Sequence, residues 1–191
     1  RLDEYKGPAW TAHGRYPTNT PGWWGGAHPF SLLDYTIVHN GEISSYDANR
    51  RYIESYGYKC TLLTDTEVIT YIIDFLNRKK GLSLEDTARV IAPPFWQQIE
   101  QLAPPERERL TALRKAFSSL LITGPFSIIL GFKDGIMALN DRLKLRSMVA
   151  AEKDDVLFVA SEECAIKAIC NKPDRIWSPG GGEPIFATLE K

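Results

Sequence analysis

Apolar positions recur with two different periods along this chain. In its middle, from residue 44 to 117, they lie three or four positions apart, which predicts helices. The clearest helix is expected over 66–80, because its apolar stripe ends in basic residues that suit a helix C-terminus and Gly81 follows. The other expected helices run from Ser44 or Ser45 toward residue 56, over 84–91 and over 105–117.

Short apolar runs bounded by turn residues predict strands, mainly outside this helical region. They are expected over residues 9–15, 35–39, 58–62, 126–132, 136–139, 147–151, 156–160 and 185–189. Lys-Asp-Gly at 133–135 is a hairpin signal, and a short helix is expected to begin near Ser161. Strands placed around helices in this order predict an α+β fold with antiparallel sheets, and the length suits a single domain over 1–191.

A polar segment, His39-Asn40-Gly41-Glu42, stands where the apolar run 35–38 stops. The side-chain amide of Asn40 and the backbone N–H of Gly41 are two adjacent donors with little steric cover. Such a pair can stabilise the oxyanion that forms when a carbonyl is attacked. Asn-Gly is also the commonest hairpin-turn signal, so a plain turn is the alternative.

Two further polar segments carry opposite charges. Arg15 follows the short run 9–12 and can pair with a carboxylate through two parallel N–H bonds. Asp65 lies at the start of the helix expected over 66–80, where it is either a helix cap or a carboxylate that receives an ammonium group; Thr64 and Glu67 have capping-box spacing. A guanidinium, a carboxylate and an oxyanion pair match the parts of a free α-amino acid with a side-chain carbonyl.

Taken together, these segments resemble the class II glutamine amidotransferase domain. The resemblance is carried by residues 13–20, 27–30, 39–43, 64–68, 141–146 and 158–162, in that family's order. Within the family, Thr-Asn-Thr at 18–20 and His-Asn-Gly-Glu-Ile at 39–43 most resemble the amidotransferase portion of glutamate synthase. The family has Gly and Pro where this chain has Lys144 and Ser147.

The resemblance implies a fold, an activity and roles for five residues. The fold is the four-layer αββα sandwich of N-terminal-nucleophile hydrolases, and the activity is hydrolysis of the glutamine side-chain amide to glutamate and ammonia. Arg15, helped by Thr18, would bind the α-carboxylate of glutamine, and Asp65 its α-ammonium group. Asn40 and Gly41 would stabilise the oxyanion. The ammonia would pass to a synthase subunit or domain, here for glutamate synthesis, and no cofactor is implied for this domain.

The chain departs from the family at its beginning. The family attacks glutamine with a cysteine at the mature N-terminus, whereas this sequence begins Arg1-Leu2. Its cysteines are Cys60, Cys164 and Cys170, none of them near the N-terminus. We therefore expect that the N-terminal part of the native domain, with its nucleophile, is missing from this sequence. One alternative is a glutamine-binding regulatory module without a nucleophile, and another is a hydrolase of a different γ-glutamyl or acyl amide.

Composition narrows the class of protein further. The 23 basic and 24 acidic residues nearly balance, which argues against a nucleic-acid partner. No apolar stretch is long enough to span a membrane, and three cysteines do not form a disulfide framework, so we expect a cytoplasmic protein. The three histidines have no zinc-site spacing, so no metal site is expected.

Overall fold

The computed structural model describes residues 3–17 and 22–189, and within them the chain forms two antiparallel sheets. The strands are β1 (Phe30–Leu32), β2 (Tyr35–Gly41), β3 (Phe126–Phe132), β4 (Gly135–Asn140), β5 (Val149–Lys153), β6 (Val156–Ala160), β7 (Arg175–Trp177) and β8 (Ile185–Thr188). The larger sheet has the order β1-β2-β3-β4-β8, and the smaller has the order β6-β5-β7. The predicted α+β fold with antiparallel sheets is confirmed.

Helices cover the outer face of each sheet. They are α1 (Tyr46–Glu54), α2 (Asp65–Asp74), α3 (Leu84–Ile91), α4 (Trp96–Glu100), α5 (Pro104–Ala116) and α6 (Glu163–Ile169). Helix α2 packs on β1 and β2, and α6 packs on β5 and β6. Side chains from both sheets, among them Ile129 and Val159, line one cavity, so the sheets face each other. In the described part of the chain, no helix is long and apolar enough to cross a membrane.

The main core lies between α2 and the larger sheet. Alternate residues of a strand point to opposite faces, so Ile37 of β2 and Ile128 and Leu130 of β3 face the helices. They meet the apolar stripe of α2, which includes Ile69 and Ile72, and all five side chains are fully buried. This packing fixes the ends of β2 and α2 relative to each other.

The predicted helices over 66–80 and 84–91 are confirmed. Helix α2 begins at Asp65 and continues through a π-helical turn, Phe75–Lys79, in which the N–H of Lys80 donates to the carbonyl of Phe75 at 2.9 Å. Helix α3 has the predicted bounds, and the Ser83 hydroxyl accepts the N–H of Asp86 at 3.0 Å.

Two predicted strands are wrong. Residues 9–15 pair with no strand in the described structure; the neighbour of β2 on that side is instead the unpredicted β1, which follows a Pro-containing loop. Residues 58–62 form no strand, because the N–H groups of Thr61 and Leu62 donate to the carboxylate of Glu67 at 3.1 and 2.9 Å. The Glu67 carboxylate thus binds the preceding loop, and the Thr64 side chain makes no capping hydrogen bond. The predicted capping box is therefore wrong too.

Candidate active site

A cleft of about 350 Å³ opens where β2 ends and α2 begins. It is lined by residues 13–17, His28, residues 39–42, residues 64–66 and Arg146. Four of the five predicted site residues, Arg15, Asn40, Gly41 and Asp65, therefore lie around one cleft. The fifth, Thr18, lies outside the described residues. Residues from five separate segments of the chain converge at this point.

Asn40 and Gly41 are the last two residues of β2, so the hairpin-turn alternative is wrong. Opposite them on β3 stand Ser127 and Phe126. Gly41 has φ 145°, and a Cβ there would overlap the carbonyl oxygen of Pro125. Only glycine suits this close approach of two backbones, which holds the end of β2 at the floor of the cleft.

The side chains of Asn40 and His39 project from opposite faces of β2. The Asn40 amide nitrogen Nδ2 donates to Oγ of Ser161 at 3.2 Å, toward the smaller sheet. His39 points the other way, toward α2, and is almost completely buried. One strand end therefore supplies an amide donor to one side of the site and an imidazole to the other.

Asp65 is the first residue of α2 and follows Thr64, which occupies the N-cap position. Its carboxylate accepts the backbone N–H of Ile43 at 3.3 Å and lies 3.2 Å from Nδ1 of His39. A carboxylate only accepts hydrogen bonds, so Nδ1 of His39 carries the proton. Burial alone would raise the pKa of Asp65, but these hydrogen bonds, with that of the Thr66 N–H, lower it below its usual value. The group is an oriented anion at neutral pH.

All three histidines of the chain meet at this cleft. The ring centroids of His13 and His28 are 4.7 Å apart, and the Thr66 hydroxyl lies 2.9 Å from Nε2 of His28 and 3.4 Å from Nδ1 of His39. Burial, followed by the influence of His13 and His39, lowers the pKa of His28 to about 4. His28 is therefore neutral at pH 7. Among the described residues, no group of His, Cys, Asp and Glu side chains is arranged to hold a metal ion.

Arg15 and Arg146 bring positive charge to the cleft from two different loops. A Cβ on the buried Gly26 would lie 2.9 Å from Cζ of Arg15, so the guanidinium rests against that glycine. Arg146 follows Asp141, whose buried carboxylate accepts the N–H groups of Leu145 and Arg146 at 3.0 Å. Sequence reasoning assigned no role in the site to Gly26, His28, Thr66 or Arg146. The last three lie in segments that carry the family resemblance, at 27–30, 64–68 and 141–146, whereas Gly26 lies outside them.

No cysteine of the described residues lines the cleft. Cys60 is buried, and burial, reinforced by nearby Glu67, raises the pKa of its thiol to about 12. Cys164 is exposed, and its hydrogen bond to the Glu162 carboxylate raises the pKa of its thiol. A thiol becomes a good nucleophile as its thiolate, so neither group is activated for attack.

The sequence model of the class-II glutamine amidotransferases matches residues 3–176. The chain belongs to this family. An uncharacterized protein of Archaeoglobus fulgidus is 52% identical to this amidotransferase domain over 188 residues, which cover 98% of the chain and 50% of that protein. Glutamine–fructose-6-phosphate aminotransferase (isomerizing) of Pseudomonas aeruginosa is 29% identical over 183 residues, which cover 94% of the chain and 27% of that enzyme.

A solved structure, glutamine phosphoribosylpyrophosphate amidotransferase from B. subtilis, has a TM-score of 0.58 at 16% identity, covering 92% of the amidotransferase domain and 32% of that chain. At this identity the likeness concerns the fold alone, and it confirms the predicted fold of N-terminal-nucleophile type. The domain thus spans half or less of the relatives named here. None of them is named as a glutamate synthase, so the expected likeness to that enzyme stays a prediction.

Proposed function

We propose that this amidotransferase domain hydrolyses the side-chain amide of glutamine to glutamate and ammonia. The observation that carries the proposal is the convergence of Arg15, Asp65, Asn40 and Gly41 on one cleft. A cation, an anion and a pair of neutral donors are the groups that an α-amino acid with a side-chain amide needs. A cleft of about 350 Å³ falls in the size range of small-ligand sites.

In the proposed complex the two charged ends of glutamine orient the amide. The α-carboxylate pairs with the Arg15 guanidinium, assisted by the Thr18 hydroxyl, and the α-ammonium group pairs with Asp65. The lowered pKa of Asp65 keeps its carboxylate charged over the neutral range. These contacts hold the side-chain carbonyl against the donors of Asn40 and Gly41.

A thiolate then attacks the amide carbon, and the carbonyl oxygen becomes an oxyanion stabilised by Asn40 and Gly41. The oxyanion collapses, the C–N bond breaks, and the nitrogen leaves as ammonia after gaining a proton. Water cleaves the resulting thioester to give glutamate and the free thiol. We propose an N-terminal cysteine as the nucleophile, as the family resemblance implies, because Cys60 and Cys164 have raised thiol pKa values away from the cleft.

We further propose that residues 1–191 act as one domain that passes ammonia to a synthase subunit or domain. We propose that the ammonia is used for glutamate synthesis. The support is the resemblance of the sequences at 18–20 and 39–43 to the amidotransferase portion of glutamate synthase. Three free cysteines suit a reducing compartment, so the proposed location is the cytoplasm. Transfer to a sugar phosphate is the alternative use, since a relative is named for that reaction.

A second candidate function is a glutamine-binding regulatory module. The observation that favours it is the absence of a cysteine from the cleft among the described residues. The two functions separate in one experiment on the full-length protein, in which glutamine binding is followed by calorimetry and ammonia release by a coupled assay. Hydrolysis predicts both signals, whereas a regulatory module predicts binding alone. Binding that is equally tight for the decarboxylated analogue 4-aminobutanamide would contradict the role of Arg15 in either case.

A further inference from the structure

A second cavity, of about 310 Å³, lies between the two sheets and adjoins the amidotransferase cleft. The two spaces share His13, Gly14 and Asn40 as lining residues. Asn40 therefore stands in the wall between them, with its backbone in the larger sheet. The smaller sheet contributes the end of β6 and the residues that follow it, Ser161 and Glu162.

The Asn40 side chain needs a fixed orientation to act as an oxyanion donor. The terminal torsion of an asparagine is soft, so its amide group rotates unless a hydrogen bond holds it. In the described part of the chain, the one side-chain hydrogen bond of Asn40 is the donation from Nδ2 to Oγ of Ser161, at 3.2 Å. An amide nitrogen carries two protons, so the second N–H remains for a ligand.

Ser161 is well placed to hold this amide. It follows β6 directly, and β6 pairs with β5 along its whole length, from Val156 to Ala160. Helix α6 begins two residues later and packs on both strands. The hydroxyl is thus anchored in the smaller sheet, while Asn40 belongs to the larger one, 121 positions away in sequence.

We propose that Ser161 is a positioning residue for the oxyanion donor Asn40. By accepting one N–H of the amide, the hydroxyl directs the other N–H into the cleft toward the carbonyl oxygen of glutamine. The inference rests on the function proposed above and assigns a role to Ser161, which lies in the family-like segment 158–162. It also explains how the two sheets jointly shape the site, since each supplies one partner of this pair.

The kinetic test compares three variants of the full-length protein. Ser161→Ala is expected to lower kcat about tenfold and to leave KM for glutamine unchanged. Complete removal of an oxyanion donor lowers kcat about 10²–10³-fold, and a donor that is present but misaligned should lose only part of that effect. Ser161→Thr keeps the hydroxyl, and the adjoining cavity has room for a methyl group, so kcat is expected to recover. Ser127→Ala is the control. The Ser127 hydroxyl lines the same cavity but makes no hydrogen bond to Asn40, so kcat is expected to be unchanged.

A double-mutant comparison shows whether the effect passes through Asn40. In the Asn40→Ala background, Ser161→Ala is expected to add no further loss of kcat. An equal tenfold loss in both backgrounds would overturn the proposal, as would a wild-type kcat for Ser161→Ala. A Ser161→Ala change that raises KM and leaves kcat intact would assign the hydroxyl to substrate binding and overturn it too.

A second measurement does not depend on turnover. In ¹⁵N-labelled protein, the side-chain amide signals of Asn40 are identified by their loss in Asn40→Ala. Ser161→Ala is expected to move the hydrogen-bonded proton signal toward that of a free amide, and Ser161→Thr to leave it in place. Unchanged signals in Ser161→Ala would overturn the pairing. If the wild-type protein releases no ammonia, the proposed function fails, and this comparison still decides whether Ser161 holds Asn40.

Discussion

The guanidinium of Arg15 lies so close to the backbone of Gly26 that a Cβ added there would be 2.9 Å from both Cζ and Nη2. The obstructed group is the far end of a flexible side chain, so Arg15 can shift at little cost to the fold. A methyl group at position 26 therefore acts mainly on the cleft. A substitution at Gly26 therefore tests the proposed role of Arg15 in binding the α-carboxylate.

Gly26→Ala is expected to raise KM for glutamine about tenfold and to change kcat little. The displaced guanidinium loses its alignment with the α-carboxylate, and a tenfold change corresponds to about 1.4 kcal/mol of binding free energy. Steady-state kinetics on the full-length protein test this. Gly7→Ala is the control, because a Cβ there meets nothing closer than 3.8 Å. A wild-type KM for Gly26→Ala would show that Arg15 does not bind the substrate carboxylate.

Asn40→Ala is expected to have the opposite kinetic signature. Removal of an oxyanion donor costs about 3–4 kcal/mol in the barrier, so kcat should fall by two to three orders of magnitude while KM stays within a few-fold. The fold should persist, because the β2 backbone pairing with β3 does not use the side chain. Asn171→Ala, at an exposed position, is the matched control. An unchanged kcat in Asn40→Ala would remove this residue from the mechanism.

Parts of this site could be predicted from sequence because their signals are local. Asn40, Gly41 and Asp65 each stand at the boundary of an apolar run, and boundaries of strands and helices are where side chains leave the core. The bounds of α3 could be predicted because Ser83 can cap the helix and Pro93-Pro94 ends it. The resemblance to the amidotransferase family then assigned segments that lie far apart in the chain to one binding site.

Other parts depend on tertiary contacts that no local pattern records. Glu67 has capping-box spacing but binds the N–H groups of Thr61 and Leu62, because the fold brings that loop beside it. The apolar run before Arg15 has the composition of a strand and finds no partner strand in the described structure. The meeting of His28 with Thr66 joins positions 38 residues apart, and spacing alone does not predict it.

Acidification is expected to destabilise the domain through His28. Burial, chiefly, lowers its folded-state pKa to about 4, whereas a histidine in an unfolded chain titrates near 6.5. Between these values the unfolded chain binds a proton that the folded protein does not, so stability falls as pH falls from about 6.5 to 4. The loss from this one group amounts to at most about 3 kcal/mol.

The measurement is denaturant unfolding at pH 7.5, 5.5 and 4.5 for wild type and His28→Gln. The variant should lose less stability on acidification, so the two free energies of unfolding should converge at low pH. His13→Gln is a useful comparison, because burial also lowers the pKa of His13. Parallel pH profiles for wild type and His28→Gln would contradict the assignment.

Asp141 holds the loop that carries Arg146 to the cleft. Its buried carboxylate accepts the N–H of Leu143 and of Leu145 at 3.0 Å, and that of Arg146 at the same distance. It also receives the N–H of Phe126, opposite Gly41 across the strand pair. One anion thereby ties the loop after β4 to the end of β3 beside the oxyanion donors.

Asp141→Asn is expected to destabilise the domain by about 2–3 kcal/mol. The substitution replaces one acceptor oxygen by an NH₂ group that faces N–H donors, and buried donors left without partners carry their full desolvation cost. Denaturant unfolding at pH 7 measures the loss, with the exposed Asp47→Asn as control. Because the loop also positions Arg146, KM for glutamine should change in Asp141→Asn and not in Asp47→Asn. Equal stability of the two variants would show that other contacts hold this loop.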